Sequence, residues 1–262
     1  MKGRRRNDLP RDKRLVVTYV VLRLIVLFTL VAQAMNHNYE NVFYCILALI
    51  LFMLPSIIER RMLIDIPDTL EIIILVFIFA AEILGEIRAY YQKIPAWDTA
   101  LHTVTGFLTG AIGFSLVSLL NRESEHFNLT PTYLAFVSLC FSMFIGVMWE
   151  FLEFFMDWFF ATDMQKDTII HTINTVLLDE SKTNTVVHIR DIREVVVNGT
   201  DLGVGGYIDI GLVDTMKDLA VTLLGSVSFS VFGFFYERRH PEGELISNLI
   251  PKVRKSGEEK EN

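Results

Sequence analysis

Residues 131–160 read PTYLAFVSLCFSMFIGVMWEFLEFFMDWFF. The stretch has no basic side chain, and its only acids are Glu150, Glu153 and Asp157. It exceeds the roughly 20 residues an α-helix needs to cross a bilayer core of about 30 Å. No period-two alternation runs through it, which argues against a barrel strand. The three acids are spaced i, i+3, i+7, so they share one face of the helix. An apolar helix with acids on one face predicts a membrane span whose polar face looks into a bundle.

Five more apolar blocks flank it, at 15–35, 42–58, 70–90, 97–120 and 212–236. The fold class that follows is all-α: a polytopic membrane helix bundle with six transmembrane helices. The block 42–58 is short for a span, and 131–160 is long enough to tilt or project. Block 15–35 ends in Ala32-Gln33-Ala34, which resembles a signal-peptide cleavage site. Its apolar run exceeds the usual 7–15 residues and Arg23 interrupts it, so a retained helix is expected.

Lys and Arg counts in the loops set the orientation. With the N-terminus in the cytoplasm, 16 basic residues lie inside and five outside. Six spans then return the C-terminus to the cytoplasm, so the topology reads N-in/C-in, a multi-pass protein of the cell (inner or plasma) membrane. The expected organisation is a basic cytoplasmic tail (1–14), a transmembrane domain (15–236) with one external loop insert (161–211), and a partly disordered cytoplasmic tail (237–262). Tyr90, Tyr91, Trp97, Trp158 and Phe159 fall at one outer interface, as an aromatic belt would. Within the insert, TNTVVHIRDIREVVVNGT (183–200) reads as a short β-hairpin around Arg190–Arg193. Gly199, Gly203, Gly205 and Gly206 do not have the spacing of a dinucleotide fingerprint. The sequons at Asn128 and Asn198 are common chance matches.

Composition excludes several classes. With 52% hydrophobic residues and 20 Phe, the chain is not a disordered one. A net charge of −7 argues against a nucleic-acid partner. Two cysteines exclude a disulfide scaffold and a zinc-finger array. The partner that remains is the lipid bilayer, with lipid head groups as candidate ligands. Nothing in the sequence sets an oligomeric state.

Ionisable side chains inside spans are costly and mark candidate sites. Span 3 carries Glu82 and Glu86, span 4 Asp98 and His102, span 5 Glu150, Glu153 and Asp157, and span 6 Asp214, Lys217 and Asp218. Alternating span directions put all of these toward the outer side. At ~1.5 Å per residue, His102, Glu150, Glu153 and Asp218 fall roughly 7–12 Å below the boundary. Eight carboxylates against Arg88, Lys217 and His102 cannot all ionise in a low dielectric without cations. Protonation, access to the interface or a divalent metal would resolve the excess. The expected metal ligands are His102, Glu150, Glu153 and Asp218, an oxygen-rich set suited to Mg, Mn, Fe or Zn. Around them stand Asp98, Asp157, Glu82, Glu86 and Lys217. Glu150, Glu153 and Asp214 are the candidate catalytic groups if chemistry occurs. The blander reading is interhelical pairing of acids with Lys217, Arg88 and threonine hydroxyls.

Other signals read as structure. Gly106, Gly110 and Gly113 form a small-residue ridge that lets a helix approach closely. Arg23 is expected to snorkel to the cytoplasmic side or to pair with Glu71. Cys45 and Cys140 read as buried apolar groups, His171 and His188 as solvated, and Trp149 as packing beside Glu150.

WDTALHTVTGF (97–107), GVMWEFLEFFMD (146–157) and GGYIDIGLVDTMKDLAVTLLGS (205–226) resemble the bacterial inner-membrane family typified by YjdF. The matching positions are Asp98 and His102, Trp149, Glu150 and Glu153, and Asp214, Thr215, Asp218 and Gly225. The likeness covers roughly 70–236 and implies no established activity. VanZ-like proteins are more distantly similar. The sequence departs from them at Glu153, in the 161–211 insert and at Leu219-Ala220-Val221.

Three functions stand side by side. One is a membrane protein whose polar pocket on the extracytoplasmic side is a structural or ion-binding centre. Another is a metal-dependent enzyme acting on a lipid or lipid-linked head group at the outer leaflet. The third is a cation-coupled transporter, which lacks a polar path through the inner half and any discontinuous-helix signature.

Overall fold

A computed structural model describes residues 12–62, 64–123, 128–239 and 252–253. Most of the two terminal tails lies outside the described residues. The chain divides into two compact units, Met1–Gly146 with Val221–Asn262, and Val147–Ala220.

Helices occupy all six apolar blocks. They are α1 (Lys13–Met35), α2 (Tyr39–Leu51), α3 (Leu54–Met62), α4 (Asp68–Phe79), the short α5 (Tyr90–Lys93), α6 (Trp97–Glu123), α7 (Pro131–Phe160) and α8 (Leu212–Arg239). Among the described residues, five helical stretches are long and apolar enough to cross a membrane: Lys13–Met35, Tyr39–Arg61, Trp97–Ser118, Pro131–Phe160 and Leu212–Arg238. Large apolar side chains stand exposed along them, among them Phe28, Phe136, Phe144, Phe151 and Leu224. So much bare apolar surface suits lipid, not water.

The block at 42–58 is interrupted for a chemical reason. Pro55 has no N–H and its ring clashes with the carbonyl four residues back, so the helix breaks at Phe52–Met53. The block at 70–90 changes geometry. After α4, residues Ala80–Ile87 wind as a π-helix, and Arg88 N–H reaches back five residues to the Ile83 carbonyl at 3.1 Å. Ala89 is left-handed, with φ 57°, and ends the helix there. Tyr91 then lays its ring on Gly85, where no Cβ would fit.

In the unit Met1–Gly146 with Val221–Asn262, one apolar core joins α1, α2, α4 and the π-helical turn through Leu15, Val26, Cys45, Phe52, Leu75 and Ile83. A second joins α6, α7 and α8 through Ala111, Phe114, Val117, Leu134 and Phe229. Strands β1 (Ile64–Asp65) and β8 (Lys252–Val253) pair antiparallel here. Cys45 is buried as expected, whereas Cys140 faces outward from α7.

The α6–α7–α8 core is drawn together by backbone contact. A Cβ at Gly106 would strike the Thr222 carbonyl, and one at Gly225 would strike the Thr103 carbonyl. The two glycines therefore let α6 and α8 cross with their backbones touching. Hydroxyls fill the seam. Ser142 Oγ donates to the Gly106 carbonyl at 2.7 Å and shares 2.7 Å hydrogen bonds with Thr109 and Ser226. Ser138 Oγ donates to the Gly110 carbonyl at 2.7 Å. Each of the three helices thus has one stripe that is small or hydroxyl-bearing at one end. Continuing that stripe by helical periodicity leads to Asp98 and His102 on α6, Glu150 and Glu153 on α7, and Asp214 and Asp218 on α8.

The unit Val147–Ala220 holds the C-terminal half of α7, the start of α8 and the connecting segment. That segment carries three two-stranded pairs. They join β2 (Ile169–Ile170) to β7 (Tyr207–Ile208), β3 (Ile173–Thr175) to β4 (Val187–Ile189), and β5 (Val196–Val197) to β6 (Thr200–Asp201). The two β-branched runs flanking Arg190–Arg193 therefore do not pair with each other. Val187–Ile189 turns back to Ile173–Thr175, with Asn174 opposite His188. Val196–Val197 folds over Asn198-Gly199 onto Thr200–Asp201. Asn198 and Gly199 have φ of 53° and 84°, which a two-residue type I′ turn requires. Asn-Gly is the strongest local turn signal in the segment, and it overrides the longer pairing.

One loop is built on a single carboxylate. Asp179 accepts hydrogen bonds from the backbone of Ser181, Thr183 and Thr185 and from the Ser181 hydroxyl. The Ser181 hydroxyl, then the Thr185 amide, hold its carboxyl below the usual aspartate range. A depressed folded value means the loop order is present above the unfolded value and lost as pH falls through the folded one. Protection of the Thr183 and Thr185 amides, relative to intrinsic exchange at each pH, should therefore hold near neutral pH and fall only below the usual aspartate range. Protection that does not change on acidification would contradict this reading.

Candidate functional site

The polar ends of the stripes are assembled within each unit as follows. In Val147–Ala220, α7 places Glu150 and Glu153 in buried positions and Asp157 in a half-buried one. Trp149 Nε1 donates to Glu153 Oε1 at 2.8 Å, so the indole orients that carboxylate rather than merely packing beside Glu150. The first turns of α8 present Asp214, Lys217 and Asp218. Lys217 Nζ lies 3.8 Å from Asp214 and 3.9 Å from Asp218. Asp218 is buried, whereas the Lys217 side chain is 45% exposed. Glu153 also lies within the electrostatic reach of Glu150, Asp218 and Asp214. Two helices of this unit thus bring four acids together, with Lys217 beside Asp214 and Asp218.

In the other unit, α6 holds Asp98 and His102 one turn apart. His102 Nε2 is 3.5 Å from Asp98 Oδ1, so the imidazole has a carboxylate on its own helix. A carboxylate beside one ring nitrogen fixes the tautomer and leaves the other nitrogen as an acceptor or ligand. Glu82 is buried and Glu86 half-buried in the π-helical turn Ala80–Ile87. Arg23 lies over the Tyr19 ring, 4.2 Å from its centroid, rather than on Glu71, which is buried in α4.

Two carboxylates serve the backbone. Asp157 accepts from Thr162 Oγ1, Met164 N and Gln165 N at 2.7–2.8 Å, which ties down the chain as it leaves α7. Asp209, which sequence reasoning passed over, is buried. Its Oδ1 accepts from Thr168 N at 2.8 Å and Gly211 N at 3.3 Å, and its Oδ2 from Val213 N at 2.8 Å. It therefore satisfies N–H groups at the start of α8 and locks the β2–β7 pair beside it. An Asp just ahead of an apolar helical block is the signal that identifies such a group. Asp214 extends the same tie, accepting from Lys166 N at 2.9 Å. The acidity of this segment is felt nearby. Partial burial, then Asp163, Asp209 and Asp157, push the Asp167 carboxyl above its usual range.

Removing the Asp209 carboxylate strands three N–H groups. Asp209→Ala should cost about 1–3 kcal/mol and loosen the start of α8. Thermal unfolding in detergent and proteolysis within 161–211 would measure this. An unchanged melting temperature with unchanged cleavage would contradict it.

Comparison with known proteins gives a family and little else. Residues 17–239 match the family described as "Predicted membrane protein (DUF2238)". A Thermotoga maritima protein named "Uncharacterized protein" is 26% identical over 103 residues, which is 39% of this chain and 52% of the relative. The chain thus spans about half the length of the curated relative it matches. No solved structure matches.

Proposed function

We propose that this chain, which belongs to the DUF2238 family of predicted membrane proteins, holds a divalent metal ion among Glu150, Glu153, Asp214 and Asp218 on the extracytoplasmic side of the cell membrane. The observation that carries the reading is the clustering of these carboxylates on α7 and α8, with Glu150, Asp218 and Asp214 all within electrostatic reach of Glu153. Acids held this close in a low-dielectric setting suit a hard divalent cation. Oxygen donors favour Mg or Mn. The six-span, N-in/C-in topology, which the loop charges support, would put these acids on the extracytoplasmic side. The finer likeness to the YjdF-typified family selects the same residues.

A second reading is metal-dependent chemistry on a lipid head group at the outer leaflet. Lys217 favours it, since an exposed ammonium beside a metal would receive a phosphate.

Elemental analysis of detergent-purified protein tests the metal assignment. The wild type should carry, or take up from Mg or Mn buffer, about one ion per chain, and Glu150→Gln should lose it. A folded wild type that stays metal-free in both buffers would overturn the proposal.

A further inference from the structure

The basic side chains of α1 and α3 define a different feature, far along the sequence from the acids. Within the Met1–Gly146 unit, Tyr19, Val20 and Arg23 of α1 and Met53, Ile57 and Arg60 line a cavity of about 360 Å³. Val16 and Ser56 complete its lining, and Val20, Met53 and Ile57 are exposed. The helix break at Pro55 makes room for it, and the Tyr19 hydroxyl donates to the Phe52 carbonyl at that break. This bond holds the ring on which the Arg23 guanidinium rests.

Arg23 is the one charged residue between Val16 and Met35. A guanidinium in an apolar helix needs an anionic or π partner. The Tyr19 face supplies the π partner. Among the described residues that line the cavity there is no carboxylate. Glu59, adjacent in sequence to Arg60, is buried and accepts from Ile66 N at 3.0 Å. The cavity therefore offers two guanidinium groups, the Ser56 hydroxyl and an apolar wall.

We propose that this groove binds an anionic phospholipid, its phosphodiester between Arg23 and Arg60 and its acyl chains along the exposed face of α1. Guanidinium groups pair with phosphate oxygens bidentately. The cavity suits the glycerophosphate and the first methylenes, and the chains continue over Val20 and its exposed neighbours Val16, Val17 and Leu24. Two cations with no carboxylate among the described lining residues select phosphatidylglycerol over a zwitterionic lipid. With the N-terminus inside, the lipid comes from the cytoplasmic leaflet.

Native mass spectrometry of the full chain tests this, using detergent micelles doped equally with phosphatidylglycerol and phosphatidylcholine of the same chain length. The wild type should retain phosphatidylglycerol at least about tenfold over phosphatidylcholine. Arg23→Gln with Arg60→Gln should abolish the preference without lowering the melting temperature. If that double variant fails to fold, Arg60→Gln alone should weaken the preference, and Ile57→Trp should expel lipid by filling the groove with both charges intact. Equal retention of the two lipids by the wild type would overturn the proposal. So would an undiminished preference in the arginine variants, or displacement of the lipid by millimolar inorganic phosphate.

Discussion

Gly106→Leu and Gly225→Leu should each eliminate the folded protein, seen as loss of the monodisperse peak in detergent size-exclusion chromatography. The atoms that the new side chain meets are the Thr222 and Thr103 carbonyls of the opposing helix. Overpacking against side chains costs about 1–3 kcal/mol because side chains can turn away. A helix backbone cannot turn away, so α6 and α8 must separate. Separation takes the Ser142, Ser226 and Thr109 hydrogen bonds with it, each worth about 0.6 kcal/mol or more in a membrane. Gly113→Ala and Gly233→Ala are the contrast. There the nearest atoms to the added methyl belong to the side chains of Phe141 and Phe114, so a smaller loss is expected. Helix propensity alone favours Ala over Gly by about 1 kcal/mol. A stabilised Gly106→Ala would therefore show that the close crossing is absent.

Glu153→Gln should reverse its effect on stability according to whether metal is present. The substitution keeps the Oε1 acceptor for the Trp149 indole and removes one negative charge. In chelator, a neutral amide escapes the burial cost of the carboxylate and its repulsion from Glu150, Asp218 and Asp214, so the variant should be more stable than the wild type. At a Mn concentration near 100 times Kd, the wild type gains about 2.7 kcal/mol by linkage. The variant gains little, so the order inverts. Thermal unfolding in the two buffers reads both signs. A variant less stable than the wild type by the same amount in both would point to a structural carboxylate.

The helices were legible because the apolar blocks are long and their polar residues keep helical spacing. Trp97, Pro131 and Leu212 begin α6, α7 and α8 where the composition changes. Local chemistry outside that periodicity was harder to read. The π-helical winding of Ala80–Ile87 leaves no mark in hydropathy. Pro55 announced a break that the apolar count passed over. Asn198-Gly199 signalled a turn that the longer β-branched runs obscured. At the polar cluster, charge counting selected Glu150, Glu153 and Asp218. It did not separate them from Asp157, whose oxygens serve the backbone. Asp209 escaped notice because its partners are main-chain N–H groups, which sequence spacing does not show.

Manganese titration followed by paramagnetic resonance of the free ion, on chelator-treated wild type beside Glu153→Gln, addresses the metal centre most directly. One saturable site in the wild type, lost in a variant that still folds, is the predicted result. No saturable site in the wild type, or the same site in both proteins, would contradict it.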